Sequence, residues 1–333
     1  MTTVNWGIIA PGNIANKFAT ALNGTDGAIL HSVASRDPER AAAFAKTHGF
    51  KHVASDYTAL LADPEVDAIY IASPHRFHAE QSIQCLNAGK AVLCEKPMTV
   101  NVADAKRVLQ AAKDNKQFYM EAVWTRFMPV YQAIRSWIDQ GLIGEVETVQ
   151  ASFGFAKEFD ASHRLYDPEL AGGALLDLGI YPITLAQVAL QDAPIDIKAS
   201  ASLGQTGVDE RTGMVLQYPS GAIATLNATV RANTSYDAWI FGSKGSIHIP
   251  RFWFAESATV YSPSNIEFDN PQVHEFPHRI NGYEGEIEEV HRCLAAGQLE
   301  SPLLPWQESL TVMSIMDDVR RQIGLKYPFE SGV

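Results

Sequence analysis

The first third of the chain alternates short apolar runs with longer segments of helical periodicity. The apolar runs predict buried strands at 4–10, 29–34, 66–72 and 91–94. The segments between and after them predict helices at 14–22, 38–48, 77–88 and 102–115. Strands that alternate with helices of this length are typical of an α/β fold with a parallel, doubly wound sheet. Such a sheet binds its ligands along the edge formed by the carboxyl ends of its strands.

Beyond about Met120 the pattern changes from α/β to strand-rich. A helix is predicted at 129–140, and polar and apolar residues then alternate at 147–153, 213–218 and 222–230. The turn residues of 218–222, Tyr-Pro-Ser-Gly-Ala, predict a hairpin between the last two strands. Alternation of this kind predicts an antiparallel sheet with one covered face. Two further helices, at 284–296 and 307–323, complete a second, α+β domain.

Composition narrows the class of protein. A chain of 333 residues suggests about two domains. A net charge of −12 argues against a nucleic-acid partner, although a local pocket for a small anion remains compatible with it. The three cysteines are widely spaced and predict reduced core thiols. The amino terminus has no leader pattern and no run approaches about 20 uninterrupted apolar residues, so we expect a cytoplasmic protein without a membrane partner.

Residues 7–15 connect the first predicted strand to the first predicted helix. The three positions that hold glycine in a dinucleotide-binding loop hold Ala10, Gly12 and Ala15. Small residues there let the backbone approach a pyrophosphate on the helix amino terminus. Because the first glycine is missing and Pro11 stiffens the turn, a plain strand-to-helix loop is the alternative. The cofactor contacts predicted in this loop are Ala10, Gly12, Asn13 and Ile14.

The residues after the second predicted strand bear on the choice of dinucleotide. An acid at this point accepts a hydrogen bond from the ribose 2′-hydroxyl of NAD. The chain instead has Ser35 and Arg36, which suit the 2′-phosphate of NADP. Asp37 follows at once, and a shift of one residue would place its carboxylate on the ribose. The sequence therefore favours NADP and leaves NAD possible.

Two polar segments follow the third and fourth predicted strands. The first is residues 72–78, Ala-Ser-Pro-His-Arg-Phe-His, and the second is Glu95-Lys96-Pro97. Both fall at carboxyl ends of strands, although a surface loop would also explain Glu95-Lys96-Pro97. The histidines at 75 and 78 have no further Cys/His cluster near them, so we expect no metal. The cofactor contacts predicted here are Ser73, Pro74, His75, His78, Glu95 and Lys96.

Taken with these segments, residues 172–181 carry a family resemblance. They read Gly-Gly-Ala-Leu-Leu-Asp-Leu-Gly-Ile-Tyr. Together with Glu95-Lys96-Pro97 they resemble the Gfo/Idh/MocA oxidoreductases over essentially the whole chain. The resemblance implies a Rossmann domain at 1–122 and a substrate-binding domain at 123–333 with a large, open, mostly antiparallel sheet. That sheet commonly forms the subunit interface, so a homodimer or higher homo-oligomer is implied.

The resemblance also implies catalytic residues. In this family the lysine of the Glu-Lys-Pro element reaches the reacting oxygen, which points to Lys96. The chain keeps Asp177 but has Tyr181 where many members have histidine, and Thr184 where another acid often follows. This pattern resembles the branch of dihydrodiol dehydrogenases, glucose-fructose oxidoreductase and NADP-linked xylose dehydrogenases, in which lysine and tyrosine form the catalytic pair. Residues 121–127 resemble it too, which implies that Trp124 and Arg126 lie near nicotinamide and substrate.

The chemistry of the pair can be argued from the side chains. Oxidation of a carbinol requires removal of the hydroxyl proton as hydride leaves, and a phenol with a pKa near 10 is a poor base at neutral pH. A nearby ammonium favours the phenolate, so we expect Lys96 to assist Tyr181. The alternative is that Tyr181 is a core tyrosine, and Pro182 complicates a shared helical face with Asp177. The candidate substrate contacts are Lys96, Trp124, Phe153, His163, Arg164, Asp177, Tyr181, Trp253 and Phe254.

The sequence thus predicts hydride transfer between NADP(H) and a sugar, cyclic polyol, dihydrodiol or small dicarbonyl. Two other functions stay open. A non-catalytic NADP(H) sensor would use the fold to bind a partner and would not need Lys96 and Tyr181 together. A glycoside hydrolase that uses bound nicotinamide transiently would form product without net oxidation of the cofactor.

Overall fold

The computed structural model describes residues 3–261 and 271–330. The expectation that the chain has no leader rests partly on Met1 and Thr2, which lie outside that range. The chain forms two compact units, one of Met1–Phe127 with His278–Leu310 and one of Met128–Pro277 with Thr311–Val333. The sequence boundary at 122 lies close to Phe127. The segment His278–Leu310, however, belongs to the first unit, whereas the sequence analysis assigned it to the second domain.

The first unit contains a six-stranded parallel sheet. Its strands are β1 Val4–Ile9, β2 Ala28–Ala34, β3 His52–Val53, β4 Ala68–Ile71, β5 Ala91–Glu95 and β6 Tyr119–Ala122. Its helices are α1 Asn13–Gly24, α2 Pro38–His48, α3 Tyr57–Ala62, α4 His78–Asn87, α5 Val102–Asn115 and, from the later segment, α8 Glu284–Ala295. The strand order β3-β2-β1-β4-β5-β6 confirms the predicted doubly wound sheet. The apolar runs form its fully buried central strands, such as β4 and β5.

The second unit contains an eight-stranded, mostly antiparallel sheet. Its strands are β7 Val146–Gly154, β8 Asp196–Leu203, β9 Asp209–Gln217, β10 Ile223–Thr229, β11 Ala238–Gly242, β12 Gly245–Ile249, β13 Ser257–Tyr261 and β14 Pro271–Glu275. Its helices are α6 Pro129–Asp139 and α7 Ile180–Leu190, and α9 Trp306–Ile323 contains the division between the units. The predicted hairpin is confirmed, because β9 and β10 pair antiparallel. Within this second sheet, β10 with β7 is the one parallel pair among the described strands.

The core of the second unit lies under one face of this sheet. Helix α7 packs against β7 and β10, and α6 packs against β13. The helical stretch Pro168–Leu190 is long and apolar enough to cross a membrane by length and composition alone. Its apolar window is 94% buried inside the protein, as expected of a core helix. The three cysteines are also buried, and none is in a disulfide.

Candidate active site

The loop between β1 and α1 leaves the amino end of α1 open. Gly12 is the N-cap residue, and no side chain caps the helix, so its first backbone N–H groups have no partner within the helix. A Cβ on Gly12 would have only the carbonyl oxygen of Ala10 near it, at 3.8 Å. Ala10 has a φ of 61°, a conformation that favours glycine. The loop therefore has the shape of a dinucleotide-binding turn with alanine at the first glycine position, and the accessible residues Asn13 and Ile14 follow it.

Asp37, after β2, is used to cap a helix. Its Oδ1 accepts the backbone N–H groups of Glu39, at 3.0 Å, and Arg40, at 3.1 Å. Its own N–H donates to Oγ of Ser35 at 3.1 Å. These contacts hold the Asp37 carboxylate at the start of α2, where it serves the helix. The side chain of Arg36 is exposed at the end of β2.

A second arginine, which the sequence analysis did not assign, lies close to Arg36. Arg76 follows β4, and both guanidinium groups lie 5.9 Å from the ring centre of Phe77. Two cations thus flank one half-buried ring at the carboxyl edge of the parallel sheet. Arg76 lies near Arg36 because β1 pairs with both β2 and β4. No local sequence pattern predicts this proximity.

His78 connects the segments that follow β4 and β5. Its ring is fully buried, with Nδ1 2.8 Å from the carbonyl oxygen of Pro97 and Nε2 2.8 Å from that of Ser73. Burial lowers the pKa of His78, and the charge of Lys96 acts in the same direction, while the two carbonyl contacts oppose them. His78 is therefore a positioning residue that fixes Lys96-Pro97 against the 73–75 loop. The neighbouring residues Pro74 and His75 lie in that loop, and the His75 ring is 5.7 Å from the His78 ring.

Glu95 ends β5 beside another buried acid, and Lys96 follows it. The hydroxyl of Tyr70 donates to Oε1 of Glu95, and the backbone N–H of Lys96 lies 3.3 Å from Oε2. The buried carboxyl of Glu286, from α8, has its pKa raised by burial and by the charge of Glu95. The carboxyl of Glu95 thus anchors the backbone from which the Lys96 side chain extends.

Glu121 is a further buried acid that the sequence analysis missed. Its carboxyl accepts the backbone N–H of Met98 at 2.7 Å and the hydroxyl of Ser309 at 2.6 Å. Burial raises the pKa of Glu121 to about 7, and the positive charge of Lys96 opposes the rise. One of its hydrogen bonds comes from Ser309, which is 188 positions away in sequence. No local sequence pattern could therefore have predicted this contact.

Trp124 and Arg126 are both held inside the first unit. The Trp124 ring is 4% exposed and stacks on Tyr283 with 4.6 Å between ring centres. The guanidinium of Arg126 donates to the carbonyl oxygen of Leu303 at 2.6 Å and pairs with Glu308 at 2.9 Å. The structure therefore ties Arg126 to the 303–308 segment, a contact that the sequence analysis did not anticipate.

In the second unit Tyr181 belongs to an aromatic cluster. Its ring, 8% exposed, meets Phe153 edge to face at 5.4 Å, and Phe153 stacks on Trp253 at 5.0 Å. Phe254 continues the cluster at 5.7 Å from Trp253. Four of the candidate substrate contacts, Phe153, Tyr181, Trp253 and Phe254, are thus brought together.

Asp177 and Tyr181 lie on successive turns of one helical segment. Leu175–Gly179 is a π-helical turn that leads directly into α7, and such turns are frequent at functional sites. Pro182 is the third residue of α7, so the backbone N–H that it lacks is missing directly after the π-helical turn. Both carboxylate oxygens of Asp177 accept from the guanidinium of Arg164, at 3.1 and 3.2 Å. His163 is adjacent, and burial together with Lys157 and Arg164 lowers the pKa of its imidazole.

The Gly172-Gly173 pair has a structural reason. A Cβ on Gly173, which has a φ of +120°, would lie 2.2 Å from Oδ1 of Asp209. A Cβ on Gly172 would lie 2.6 Å from the carbonyl oxygen of Arg164. Asp209 is fully buried and accepts the backbone N–H of Leu175 at 2.8 Å, and burial raises its pKa to about 7. The two glycines thus let the chain approach Asp209 and the 164–165 backbone, which sets the start of the Asp177 segment.

Similarity to known proteins extends over both units. Residues 4–123 match the oxidoreductase family with an NAD-binding Rossmann fold, and residues 131–248 match the GFO/IDH/MocA C-terminal domain. A 3-ketoreductase from Actinomadura kijaniata, solved with NADP and TDP-benzene, superposes with a TM-score of 0.85 at 26% identity. The match covers 97% of this chain and 98% of that one.

Two curated relatives match nearly end to end. Trans-1,2-dihydrobenzene-1,2-diol dehydrogenase of Xenopus tropicalis is 36% identical over 329 residues, which is 97% of this chain and 99% of the relative. D-xylose 1-dehydrogenase (NADP(+)) of Hypocrea jecorina is 36% identical over 372 aligned residues, 98% of this chain and 93% of the relative. With matching models for both halves and full-length relatives at this identity, the chain belongs to the Gfo/Idh/MocA family of oxidoreductases.

Proposed function

We propose that this protein is an NADP(H)-dependent dehydrogenase or reductase that acts on the CH–OH group or carbonyl of a diol or sugar. One observation carries the proposal. The carboxyl edge of the parallel sheet presents an uncapped helix amino terminus after β1, guanidinium groups after β2 and β4, and Lys96 after β5. The full-length relatives named for dihydrodiol and xylose dehydrogenation support it.

The residues present fit NADP. The uncapped amino end of α1 and the open space at Gly12 suit a pyrophosphate. Ser35 and Arg36 suit a 2′-phosphate, and Asp37, the residue that would favour NAD, is occupied as a helix cap. Bound NADP supplies or accepts the hydride. In the first unit, the carboxyl edge of the sheet on which NADP would rest is shaped by Ser73, Pro74, His75 and Glu95.

Lys96 and Tyr181 are the proposed catalytic pair. Tyr181 gives up or takes the proton at the substrate oxygen through its phenol group. The Lys96 ammonium favours the phenolate form and polarises the carbonyl in the direction of reduction. Asp177, held by Arg164, would orient a substrate hydroxyl by accepting a hydrogen bond from it.

The second unit supports a ring-shaped substrate. Phe153 and Trp253 stack beside Tyr181, and a stacked aromatic surface suits the apolar face of a sugar or a dihydrodiol. Trp124 and His163 are the remaining proposed substrate contacts. This arrangement favours compounds that combine one apolar face with vicinal hydroxyl groups.

A substrate panel tests the proposed function. Wild-type protein is incubated with trans-dihydrodiols, aldoses, inositols and dicarbonyls, each with NADP(H) and with NAD(H), and the absorbance of reduced nicotinamide is followed. We expect a net change with a diol or an aldose and a preference for NADP. Product without a net change in absorbance would instead identify a nicotinamide-assisted hydrolase. Cofactor binding without turnover across the panel would identify a sensor.

We further propose that the protein is a homo-oligomer that pairs through the second sheet. The face opposite α6 and α7 carries a continuous row in which Val215 pairs with Thr225 and Trp239 with Gln150. Val215 and Ile223 are each 42% exposed on this face. An open sheet face that carries exposed apolar side chains among polar ones suits a second copy of the chain. Val215→Lys combined with Ile223→Lys is expected to lower the sedimentation mass to that of a monomer, and an unchanged mass would contradict the interface.

A cytoplasmic location completes the proposal. All three cysteines are buried thiols with no disulfide, which suits a reducing compartment. Fractionation of the cells that produce the protein, with blotting of each fraction, tests this location.

A further inference from the structure

A cluster of imidazole and carboxylate side chains lies in the first unit outside the proposed active site. His31 is in β2, His52 is in β3, and Glu65 precedes β4. One nitrogen or oxygen atom from each of these three side chains lies within 4.8 Å of the other two. Because Glu65 comes before β4, it lies toward the amino ends of the strands, whereas the proposed cofactor edge lies at their carboxyl ends. The cluster therefore has no part in the function proposed above.

Two carboxylates of the cluster lie close to the same nitrogen, Nε2 of His31. Nε2 of His31 lies 3.0 Å from Oδ2 of Asp63 and 3.7 Å from Oε2 of Glu65. The ring centres of His31 and His52 are 4.9 Å apart. His31 is 1% exposed, whereas the carboxylate side chains of Asp63 and Glu65 are 26% and 73% exposed. One fixed, buried nitrogen is thus surrounded by accessible side chains that can adjust their positions.

The loop that carries the two carboxylates is held in place independently of the cluster. Nζ of Lys90 donates to the carbonyl oxygens of Asp63, at 2.5 Å, and Val66, at 2.9 Å. Oδ1 of Asp63 accepts the backbone N–H of Glu65 at 2.9 Å, which leaves Oδ2 directed at His31. These contacts hold the backbone of Asp63 and Glu65 near the imidazoles before any metal ion binds.

We propose that His31, His52, Glu65 and Asp63 bind a divalent transition-metal ion of the zinc type. Imidazole nitrogen and carboxylate oxygen are preferred ligands of such ions. His31, His52 and Glu65 are the three mutually close ligands, and Asp63, which contacts His31, is the candidate for the fourth position. Bond lengths to zinc are about 2.0–2.2 Å, so the side chains must close on the ion. The exposed side chains of His52 and Glu65 can make that movement while His31 and the 63–66 loop stay in place.

The four residues come from three segments and form no short sequence motif. The sequence expectation of no metal rested on the isolated His75 and His78, which are used elsewhere. Only the pairing of β2 with β3, which places Ser32 opposite His52, brings the two imidazoles together.

Zinc binding to the full chain tests the proposal. Protein without an affinity tag is stripped with a chelator and titrated with Zn²⁺ against a chromophoric chelator. We expect one equivalent to bind with a dissociation constant of roughly 10 µM or lower. His52→Ala and Glu65→Gln should each weaken binding at least about tenfold. His274→Ala, which removes a half-exposed histidine of the second unit, should leave binding unchanged.

Two further measurements make the outcome specific. The zinc absorption edge of the loaded protein should show imidazole scattering that decreases in His52→Ala. NADP(H) affinity should stay unchanged in both variants, because the cluster lies outside the cofactor edge, and this also reports that they are folded. Absence of binding tighter than about 100 µM, or equal binding by wild type and His52→Ala, would overturn the proposal.

Discussion

The guanidinium of Arg164 donates hydrogen bonds to both carboxylate oxygens of Asp177, with N–O distances of 3.1 and 3.2 Å. The guanidinium side chain is 49% exposed while the carboxylate side chain is 6% exposed, so the acid is held from its solvent side. A two-point contact of this kind fixes the orientation of a carboxylate as well as its charge. In the proposed function, this fixed carboxylate is the group that accepts a hydrogen bond from a substrate hydroxyl.

The first prediction concerns this pair. Arg164→Ala should lower kcat/KM at least about tenfold, because Asp177 loses its orientation. The loss of unfolding free energy should be only about 1 kcal/mol, since the half-exposed guanidinium is screened by solvent. Steady-state kinetics and thermal melts check both effects. Arg164→Lys is the matched control, expected to fall between the two proteins, and unchanged kinetics in Arg164→Ala would contradict the assignment.

The second prediction concerns cofactor choice. Arg36→Ala should weaken NADP binding at least about tenfold with little effect on NAD, because only NADP has a 2′-phosphate for the guanidinium. Asp37→Ala should cost about 1 kcal/mol of stability by removing the cap of α2 while leaving the NADP-to-NAD ratio unchanged. Fluorescence titration with both cofactors gives the ratio. A large change of the ratio in Asp37→Ala would show that its carboxylate reaches the ribose.

The third prediction compares Gly12, in the cofactor loop, with Gly7, in β1 before the loop. Gly12→Val should weaken NADP binding and leave the melting temperature nearly unchanged, because its side chain would enter open space. Gly7→Val should instead destabilise the protein by about 1–3 kcal/mol, since its Cβ would lie 2.6 Å from Cδ1 of Ile69. Melting curves with and without NADP separate the two effects. Binding of NADP by Gly12→Val as tight as that of wild type would show that the pyrophosphate does not lie at Gly12.

The fourth prediction concerns pH. Burial raises the pKa of Glu121 to about 7 in the folded protein, above its value in the unfolded chain. The folded state therefore keeps a proton that the unfolded state loses, so this contribution to stability is complete below about pH 4 and is lost as the pH rises through about 7. Glu121→Gln can keep the contacts to Met98 and Ser309 without titrating.

The measurement for Glu121 is the melting temperature between pH 5 and 8. The melting temperature of wild type should decline more steeply with rising pH than that of Glu121→Gln. Glu39→Gln, an exposed acid in the first turn of α2, serves as the control and should follow wild type. Parallel profiles for wild type and Glu121→Gln would show that Glu121 does not titrate in this range.

Much of the first unit could be predicted from sequence because its elements carry strong local signals. Helix α2 was predicted at its observed bounds, where Asp37 caps one end and Gly49, with a φ of +83°, lies at the other. Strand β3 was missed because it has two exposed residues and no apolar run. The helix α8 was predicted, but its packing against α1 was not, since periodicity does not show which sheet a helix covers.

The candidate site was predictable where residues sit at strand ends and unpredictable where distant segments meet. Lys96 follows β5 as expected, and Tyr181 follows the Gly172-Gly173 segment. Arg76, Glu121 and Asp209 had no local signal. Their contacts are formed with residues that only the fold brings near, as Ser309 is to Glu121.

In the proposed reaction Tyr181 carries the proton. The most direct measurement compares the turnover of NADPH by wild type and Tyr181→Phe on the best substrate of the panel, together with the NADPH dissociation constant. We expect kcat to fall at least about a hundredfold while cofactor affinity stays within about twofold of wild type. Turnover by Tyr181→Phe at a rate close to that of wild type would show that Tyr181 does not carry the proton.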